Sequence, residues 1–251
     1  MPSTVRYSTS RSFYGRGVPT GVKWLLIVNS ALFVLYFFAV RVGAGTWFSD
    51  FSLWPRAVIT LPAFWQLFTY MFLHDPYGFA HILFNMLALW MFGSDLEWDW
   101  GTKRFLQYYF LCGVGAGVSV VVANVLFGSL DSRTIGASGA IYGLLLAFGV
   151  LYPDRIVLFS FLFPIKAKYF VMIIGAIAFL SSIGASGGGV SHVAHLGGMV
   201  FGFLFLKRRK RQFNLTIPVG RWYRQWKIHR ARRKFDVYMR DRDSKRGPWV
   251  N

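Results

Sequence analysis

The chain has little charge, few acidic residues and a single cysteine. Charged side chains make up 15% of its 251 residues, against about 25% in a typical soluble domain. Only 10 residues are Asp or Glu, whereas 28 are Lys or Arg and 55% of all residues are hydrophobic. This composition excludes an ordinary soluble globular protein. The lone Cys112 excludes an intrachain disulfide and a cysteine-based metal cluster.

What the sequence does contain is a series of apolar segments that approach the roughly 20 residues needed to span a bilayer. We therefore predict an all-α fold, a polytopic membrane bundle of six transmembrane helices. The predicted spans are 23–40, 78–92, 105–127, 138–152, 169–183 and 192–206. Between them we expect a long loop over 41–77, a polar turn over 95–104, a loop over 153–168 and a glycine-rich turn over 184–191.

The positive charge lies mainly at the two ends of the chain. Residues 1–23 carry four Lys or Arg and no acid, and residues 207–251 carry 16 Lys or Arg and three Asp. Because basic segments tend to stay on the cytoplasmic side, both termini are expected there and the number of spans should be even. We divide the chain into a flexible cytoplasmic N-terminus (1–21), a six-span core (22–206) and a basic cytoplasmic tail (207–251).

The two ends also bear on partners and location. The tail mixes cations with aromatic residues, as at Arg221, Trp222 and Arg224, which leaves nucleic-acid binding open. A segment lying on anionic lipid fits better because the tail starts at the membrane, so the bilayer is the expected partner and nucleic acid is not. A cleaved signal peptide is disfavoured by the long polar lead. We expect a multi-pass protein of the bacterial inner (cytoplasmic) membrane.

One short stretch, Gly136–Gly143, has the features of a nucleophile site. Ser138 lies there between small residues at the start of an apolar run, where a helix N-terminus offers free N–H groups. The 15-residue helix predicted there would reach about 22 Å, short of a hydrocarbon core of about 30 Å. A second Gly-Ala-Ser-Gly string holds Ser186, but glycines follow it, so Ser186 lacks a helix N-terminus.

The predicted topology brings further polar residues to the depth of Ser138. Spans two, four and six all enter from the outer face, and their first turns carry His81 with Asn85, Ser138, and His195. Each of these could alone be an ordinary packing or helix-bridging residue, although an intramembrane histidine is by default a functional hypothesis. Tyr142 follows Ser138 by four residues and so lies on the same helix face.

Two other kinds of site compete with a serine nucleophile. His81, His192 and His195 could in principle meet at a metal, but no matching acidic ligand or His-Glu-x-x-His pattern accompanies them. We expect no metal and no cofactor. A transporter would need ion-coupling acids inside the spans, and the sequence offers only boundary positions such as Asp95.

These residues resemble the rhomboid family of intramembrane serine proteases over roughly residues 22–206. The motifs that carry the resemblance are His81–Asn85, Gly136–Gly139 with Tyr142, and Ala194–Gly198. The segments Phe68–His74 and Leu96–Phe105 are similar as well. The chain departs from the family at Trp65-Gln66, where many members have Trp-Arg, and this puts the anchoring of the first loop in question.

The resemblance implies a serine endopeptidase that cleaves the transmembrane segments of single-span membrane proteins. Ser138 would be the nucleophile and His195 the general base, without a carboxylate. His81, Asn85 and the backbone N–H of Ser138 would hold the oxyanion, and Tyr142 would stack on His195. The alternative is a catalytically silent relative that binds or escorts membrane proteins, although such relatives generally lack the serine or the base.

Overall fold

The computed structural model describes residues 17–159, 163–184 and 189–208. Its α-helices are α1 (Thr20–Arg41), α2 (Pro55–Thr60), α3 (Gln66–Thr69), α4 (Phe79–Ala88), α5 (Ser94–Trp100), α6 (Thr102–Phe127), α7 (Ser138–Leu151), α8 (Ala167–Gly184) and α9 (Gly189–Arg208). Most of the predicted N-terminus, the tail beyond residue 208 and residues 185–188, with Ser186, lie outside the described residues. The predicted helical bundle is confirmed in its coarse form, as a mostly helical chain with long apolar helices.

Three helical stretches are long and apolar enough to cross a membrane, and they are Thr20–Arg41, Phe79–Trp100 and Thr102–Phe127. Two shorter apolar helices follow them, Ser138–Leu151 and Ala167–Ser182. The described residues also contain an element that an all-α prediction does not include. Two antiparallel strands, β1 (Ile156–Phe159) and β2 (Phe163–Lys166), fill the predicted loop between α7 and α8.

The predicted polar turn over 95–104 is wrong. A π-helical turn over Leu89–Gly93 carries the second span from α4 directly into α5, and the chain breaks only at Gly101. Gly101 has φ +78°, a left-handed conformation that glycine adopts without strain. The acidic residues of this stretch are therefore helical, and each of the three in α5 has a partner in another part of the fold.

Glu97 is the most completely bonded of these acids. Its side chain is 3% exposed, and its two carboxylate oxygens accept the backbone N–H groups of Gly21 and Val22, each at 2.7 Å. The Thr102 hydroxyl donates a third hydrogen bond at 2.6 Å. A carboxylate at a helix N-terminus satisfies N–H groups that have no partner within the helix. Glu97 thus caps α1 from the end of α5.

The other two acids of α5 connect it to the end of α7. Asp95 forms an ion pair with Arg155, with 2.8 Å between Oδ2 and Nη1. Asp99 accepts a hydrogen bond from the hydroxyl of Tyr152, the residue that follows α7. The composition of the stretch suggests a solvated turn. The helix could not be predicted from it, because these partners lie more than 50 residues away along the chain.

Glycine contacts bring α7 close to α6 and α9. A Cβ atom on Gly143 would lie 2.5 Å from the Cys112 sulfur, and one on Gly198 would overlap the carbonyl oxygen of Gly139. Only glycine allows helix backbones to approach this closely. The first turn of α7, which begins at Ser138, therefore lies directly against α9.

The first loop is anchored although it lacks the Trp-Arg pair. Gln66 is 3% exposed, and it accepts the Trp54 backbone N–H at 2.9 Å while donating to the Asp50 carbonyl at 3.1 Å. A guanidinium group comes from another loop, because Arg133 donates to the Ser49 carbonyl at 2.8 Å. The departure at Gln66 thus changes how the loop is held without leaving it free.

Candidate active site

Ser138 and His195 form a direct hydrogen bond between two helices. The serine Oγ and the histidine Nε2 are 2.9 Å apart, although the residues are 57 positions apart in sequence. Ser138 is the first residue of α7, where the backbone N–H groups of the first turn have no partner within the helix. A hydroxyl bonded to an imidazole is the arrangement that activates a serine nucleophile.

Tyr142 fixes the plane of the His195 ring. The two rings are stacked, with centroids 4.0 Å apart and planes within 2° of each other. Nδ1 of His195 is buried and makes no hydrogen bond to any described residue. The ring of His192 lies 5.9 Å from that of His195, nearly perpendicular to it. Stacking, rather than a carboxylate, therefore orients the imidazole among the residues described.

His81 and Asn85 face the site from α4. His81 Nδ1 accepts a long hydrogen bond, 3.4 Å, from the backbone N–H of Asp75. This bond assigns the imidazole proton to Nε2. Asn85 is 7% exposed and donates from Nδ2 to the His81 carbonyl at 2.6 Å. Both residues thus line the same cavity as Ser138 and carry a group that can donate a hydrogen bond.

Gly136 makes room for the His81 ring. Its φ is +119°, and a Cβ atom built on it would lie 2.9 Å from Nε2 of His81. A larger residue would therefore need both an unfavourable backbone conformation and the space that the imidazole occupies. The glycine two positions before Ser138 lets the loop that enters α7 pass directly beside His81.

These side chains line a single cavity of about 490 Å³. Its wall includes all five predicted site residues: His81, Asn85, Ser138, Tyr142 and His195. Most other lining residues are apolar, among them Phe84, Met91, Leu145, Phe170 and Ile174. A largely apolar cavity with a few convergent polar groups is the usual form of a ligand or substrate site.

His74 and Asp75 lie beside this cavity and were not among the predicted site residues. His74 is fully buried, and its ring centroid is 5.2 Å from that of His81. Burial lowers the pKa of His74 to about 4, so the ring is neutral at pH 7. The signals in the sequence were the similarity of Phe68–His74 to the rhomboid family and a histidine seven positions before His81. Among the described residues, no three His, Cys, Asp or Glu side chains are grouped closely enough to hold a metal ion.

The sequence of the chain is similar to those of several known proteins. A family model described as Rhomboid domain matches residues 62–209. Rhomboid protease GluP of Bacillus subtilis is 32% identical over 199 residues, which are 78% of this chain and 36% of GluP. The mitochondrial Rhomboid protein 1 of Saccharomyces cerevisiae is 29% identical over 199 residues, 69% of this chain and 55% of that protein. YdcA of Bacillus subtilis is 33% identical over 156 residues, 59% of this chain and 71% of YdcA. The chain thus spans only part of the length of GluP and of the yeast protein.

Proposed function

The chain belongs to the rhomboid family, and we propose that it is an intramembrane serine endopeptidase that cleaves single-span membrane proteins in their transmembrane segments. Family membership and the long apolar helices make it an integral membrane protein. The observation that carries the proposal is the 2.9 Å contact between Ser138 Oγ and His195 Nε2. A catalytically silent relative that only binds membrane proteins would have no need of this contact.

The proposed reaction follows from these two groups. Ser138 Oγ attacks the carbonyl carbon of the scissile peptide while His195 Nε2 takes the hydroxyl proton. When the tetrahedral intermediate collapses, the carbon–nitrogen bond breaks and His195 gives its proton to the leaving amine. Water then attacks the acyl ester, with His195 first removing a proton from it and later returning one to Ser138. Tyr142 keeps the imidazole in one orientation during these transfers.

Three donors would stabilise the oxyanion of the intermediate. They are Nε2–H of His81, Nδ2 of Asn85 and the backbone N–H of Ser138 at the start of α7. The Asp75 bond to Nδ1 supports the His81 assignment, because it leaves the proton on Nε2. The Asn85 amide has two hydrogens, and the bond to the His81 carbonyl uses one of them.

We propose six membrane spans, formed by α1, α4 with α5, α6, α7, α8 and α9, with residues 22–206 as the protease core. The 14 residues of α7 are about 21 Å long, shorter than a hydrocarbon core of about 30 Å. Ser138 would therefore lie below the outer surface, under a cavity that admits water. Both termini (1–21 and 207–251) would be cytoplasmic, in a bacterial inner membrane.

The substrate must also change conformation in this scheme. Carbonyl groups of a transmembrane helix are hydrogen-bonded within the helix and are not open to attack. We therefore expect substrates with helix-weakening residues near the outer boundary of the membrane. No metal or cofactor enters the scheme.

The proposal is tested with purified protein and a single-span reporter that carries such residues. Ser138→Ala and His195→Ala should each abolish cleavage while the circular dichroism spectrum stays that of the wild type. Ser186→Ala, which changes the serine of the second Gly-Ala-Ser-Gly string, should keep full activity. Residual cleavage by purified Ser138→Ala would overturn the assignment. Binding of the reporter without cleavage by the wild type would favour a silent relative.

A further inference from the structure

The segment just before α4 connects the loop that enters α7 to the body of the fold. Tyr70 is 1% exposed, and its hydroxyl donates to the Gly113 carbonyl on α6 at 2.7 Å. Its own carbonyl accepts the Gly136 N–H at 2.9 Å. The segment 70–75 therefore makes two contacts near the site. Tyr70 bonds to the loop that leads to Ser138, and His74 packs against the ring of His81.

His74 is a fully buried residue of this segment. Its side chain is fully inaccessible, and its ring lies against His81 at an angle of 57°. The Phe72 backbone is close to the ring, but neither ring nitrogen makes a hydrogen bond of good geometry to a described residue. His74 therefore contributes a fully buried planar ring that packs against His81.

Asp75 supplies the polar contact to the same histidine. Its backbone N–H belongs to the planar peptide that joins it to His74, so burial of His74 limits the directions in which this N–H can point. The N–H donates to Nδ1 of His81. On the other side, the Asp75 carboxylate accepts the Tyr77 N–H at 3.0 Å and closes the turn into α4.

We propose that His74 is a positioning residue, which aims the Asp75 N–H at Nδ1 of His81 and so keeps the His81 proton on Nε2, facing the cavity. The inference rests on the proposed function, because the tautomer affects turnover only if His81 donates to the oxyanion. The tautomer itself can be measured without any assay of cleavage.

The direct test is nitrogen NMR on the full chain labelled with ¹⁵N-histidine, with the His81 signals identified by their loss in His81→Gln. The wild type should show a protonated Nε2 and an unprotonated Nδ1. Asp75→Pro deletes the N–H donor, whereas Asp75→Ala removes the carboxylate and keeps the donor. Asp75→Pro should move the two His81 shifts toward the average of both tautomers, and Asp75→Ala should leave them unchanged.

His74→Ala should shift the His81 signals in the same direction as Asp75→Pro. Both variants should lower kcat by about 10- to 100-fold, as is common for groups that orient a primary functional residue, with KM changed by less than about threefold. His74→Phe should retain most of the activity that His74→Ala loses, because phenylalanine keeps a planar ring at this position. Tyr109→Phe is the matched control, since Tyr109 is also fully buried with an unbonded polar atom and lies outside the cavity wall.

The outcomes separate this inference from the proposed function. Unchanged His81 shifts in His74→Ala would overturn the positioning role even if Asp75→Pro shifts them and Ser138→Ala is inactive. Shifted signals together with a cleavage-competent Ser138→Ala would instead overturn the protease assignment. If His74→Ala fails to fold, His74→Leu, which keeps a buried side chain without the planar ring, decides the question: unchanged His81 shifts in that variant would overturn the positioning role.

Discussion

The polar side chains at the two ends of the helices α4–α5 and α7 differ in charge and in their contacts. At the site end, Ser138, His81 and Asn85 are uncharged and face a cavity. At the acid end, Asp95, Glu97 and Asp99 bond to groups of other elements. The same helices thus carry uncharged groups that line a cavity at one end and carboxylates bonded to distant residues at the other.

This contrast separates stability from function within one set of helices. Buried polar atoms without a protein partner are uncommon in native proteins and call for an explanation. Both ring nitrogens of His74 and Nδ1 of His195 are such atoms at the site end, and at the acid end Ser94 Oγ is one, while the three carboxylates of α5 are all bonded. We therefore expect substitutions at the site end to lower turnover and substitutions at the acid end to lower stability.

Asn85→Ala should have the largest effect among the variants that probe this contrast. Loss of one oxyanion donor commonly lowers kcat by about 10²- to 10³-fold, and binding of the substrate should change little. Steady-state kinetics on the single-span reporter would measure this. Asn124→Ala is a matched control, because Asn124 is also buried on a helix and bonds the carbonyl four residues earlier, at 2.9 Å. A loss of binding without a loss of turnover in Asn85→Ala would contradict the oxyanion role.

Glu97→Gln should be next in size, and its effect should be on stability. The amide replaces one of two acceptor oxygens with a donor that faces the N–H groups of α1, so we expect a loss of about 2–3 kcal/mol. Denaturant unfolding in detergent would measure the loss, and kcat of the folded protein should stay at the wild-type value. Asp99→Asn is the control, because its amide oxygen can still accept the hydrogen bond from the Tyr152 hydroxyl. The free energy of unfolding should therefore fall far less in Asp99→Asn than in Glu97→Gln. Equal stability of Glu97→Gln and the wild type would remove the contrast between the two ends.

Asp131→Asn should have the smallest effect, although the ion pair it breaks has good geometry. Arg56 Nε and Asp131 Oδ1 are 2.7 Å apart, but their side chains are 47% and 59% exposed. The hydrogen bond from Arg56 holds the pKa of Asp131 below its usual value of 3.8. The contribution of the pair is therefore complete above that pH and disappears as the pH falls through the lower pKa of the folded state.

The corresponding measurement is a series of thermal melts between pH 3 and pH 8. Melting temperatures of Asp131→Asn and the wild type should differ by less than about 2 °C, with no change in the difference between pH 5 and pH 8. A difference that grows within that range would mean that another titrating group depends on this pair.

The site was easier to predict from the sequence than the acid end. A serine nucleophile needs small neighbours and a helix start, and histidines are rare in membrane spans, so Ser138, His81 and His195 became candidates once the order of the spans put them at one depth. The helix that begins at Ser138 was predicted at the correct residue. These features depend on local sequence and on the order of the spans.

The acid end could not be predicted, because its residues depend on distant partners. Asp95, Glu97 and Asp99 have the composition of a turn, and only Arg155, the start of α1 and Tyr152 make a helix favourable there. The strands β1 and β2, which pair Ile156 with Lys166, were missed because their sequences show no clear alternation of apolar and polar residues. The anchoring of the first loop by Gln66 and Arg133 likewise required the fold.

Activation of Ser138 by His195 underlies the whole proposal, and labelling with a fluorophosphonate probes it at the reacting atom. Mass spectrometry of the labelled wild type should find the adduct on Ser138, with labelling lost in His195→Ala and kept in Ser186→Ala. An adduct on Ser186, or undiminished labelling of Ser138 in His195→Ala, would contradict this activation.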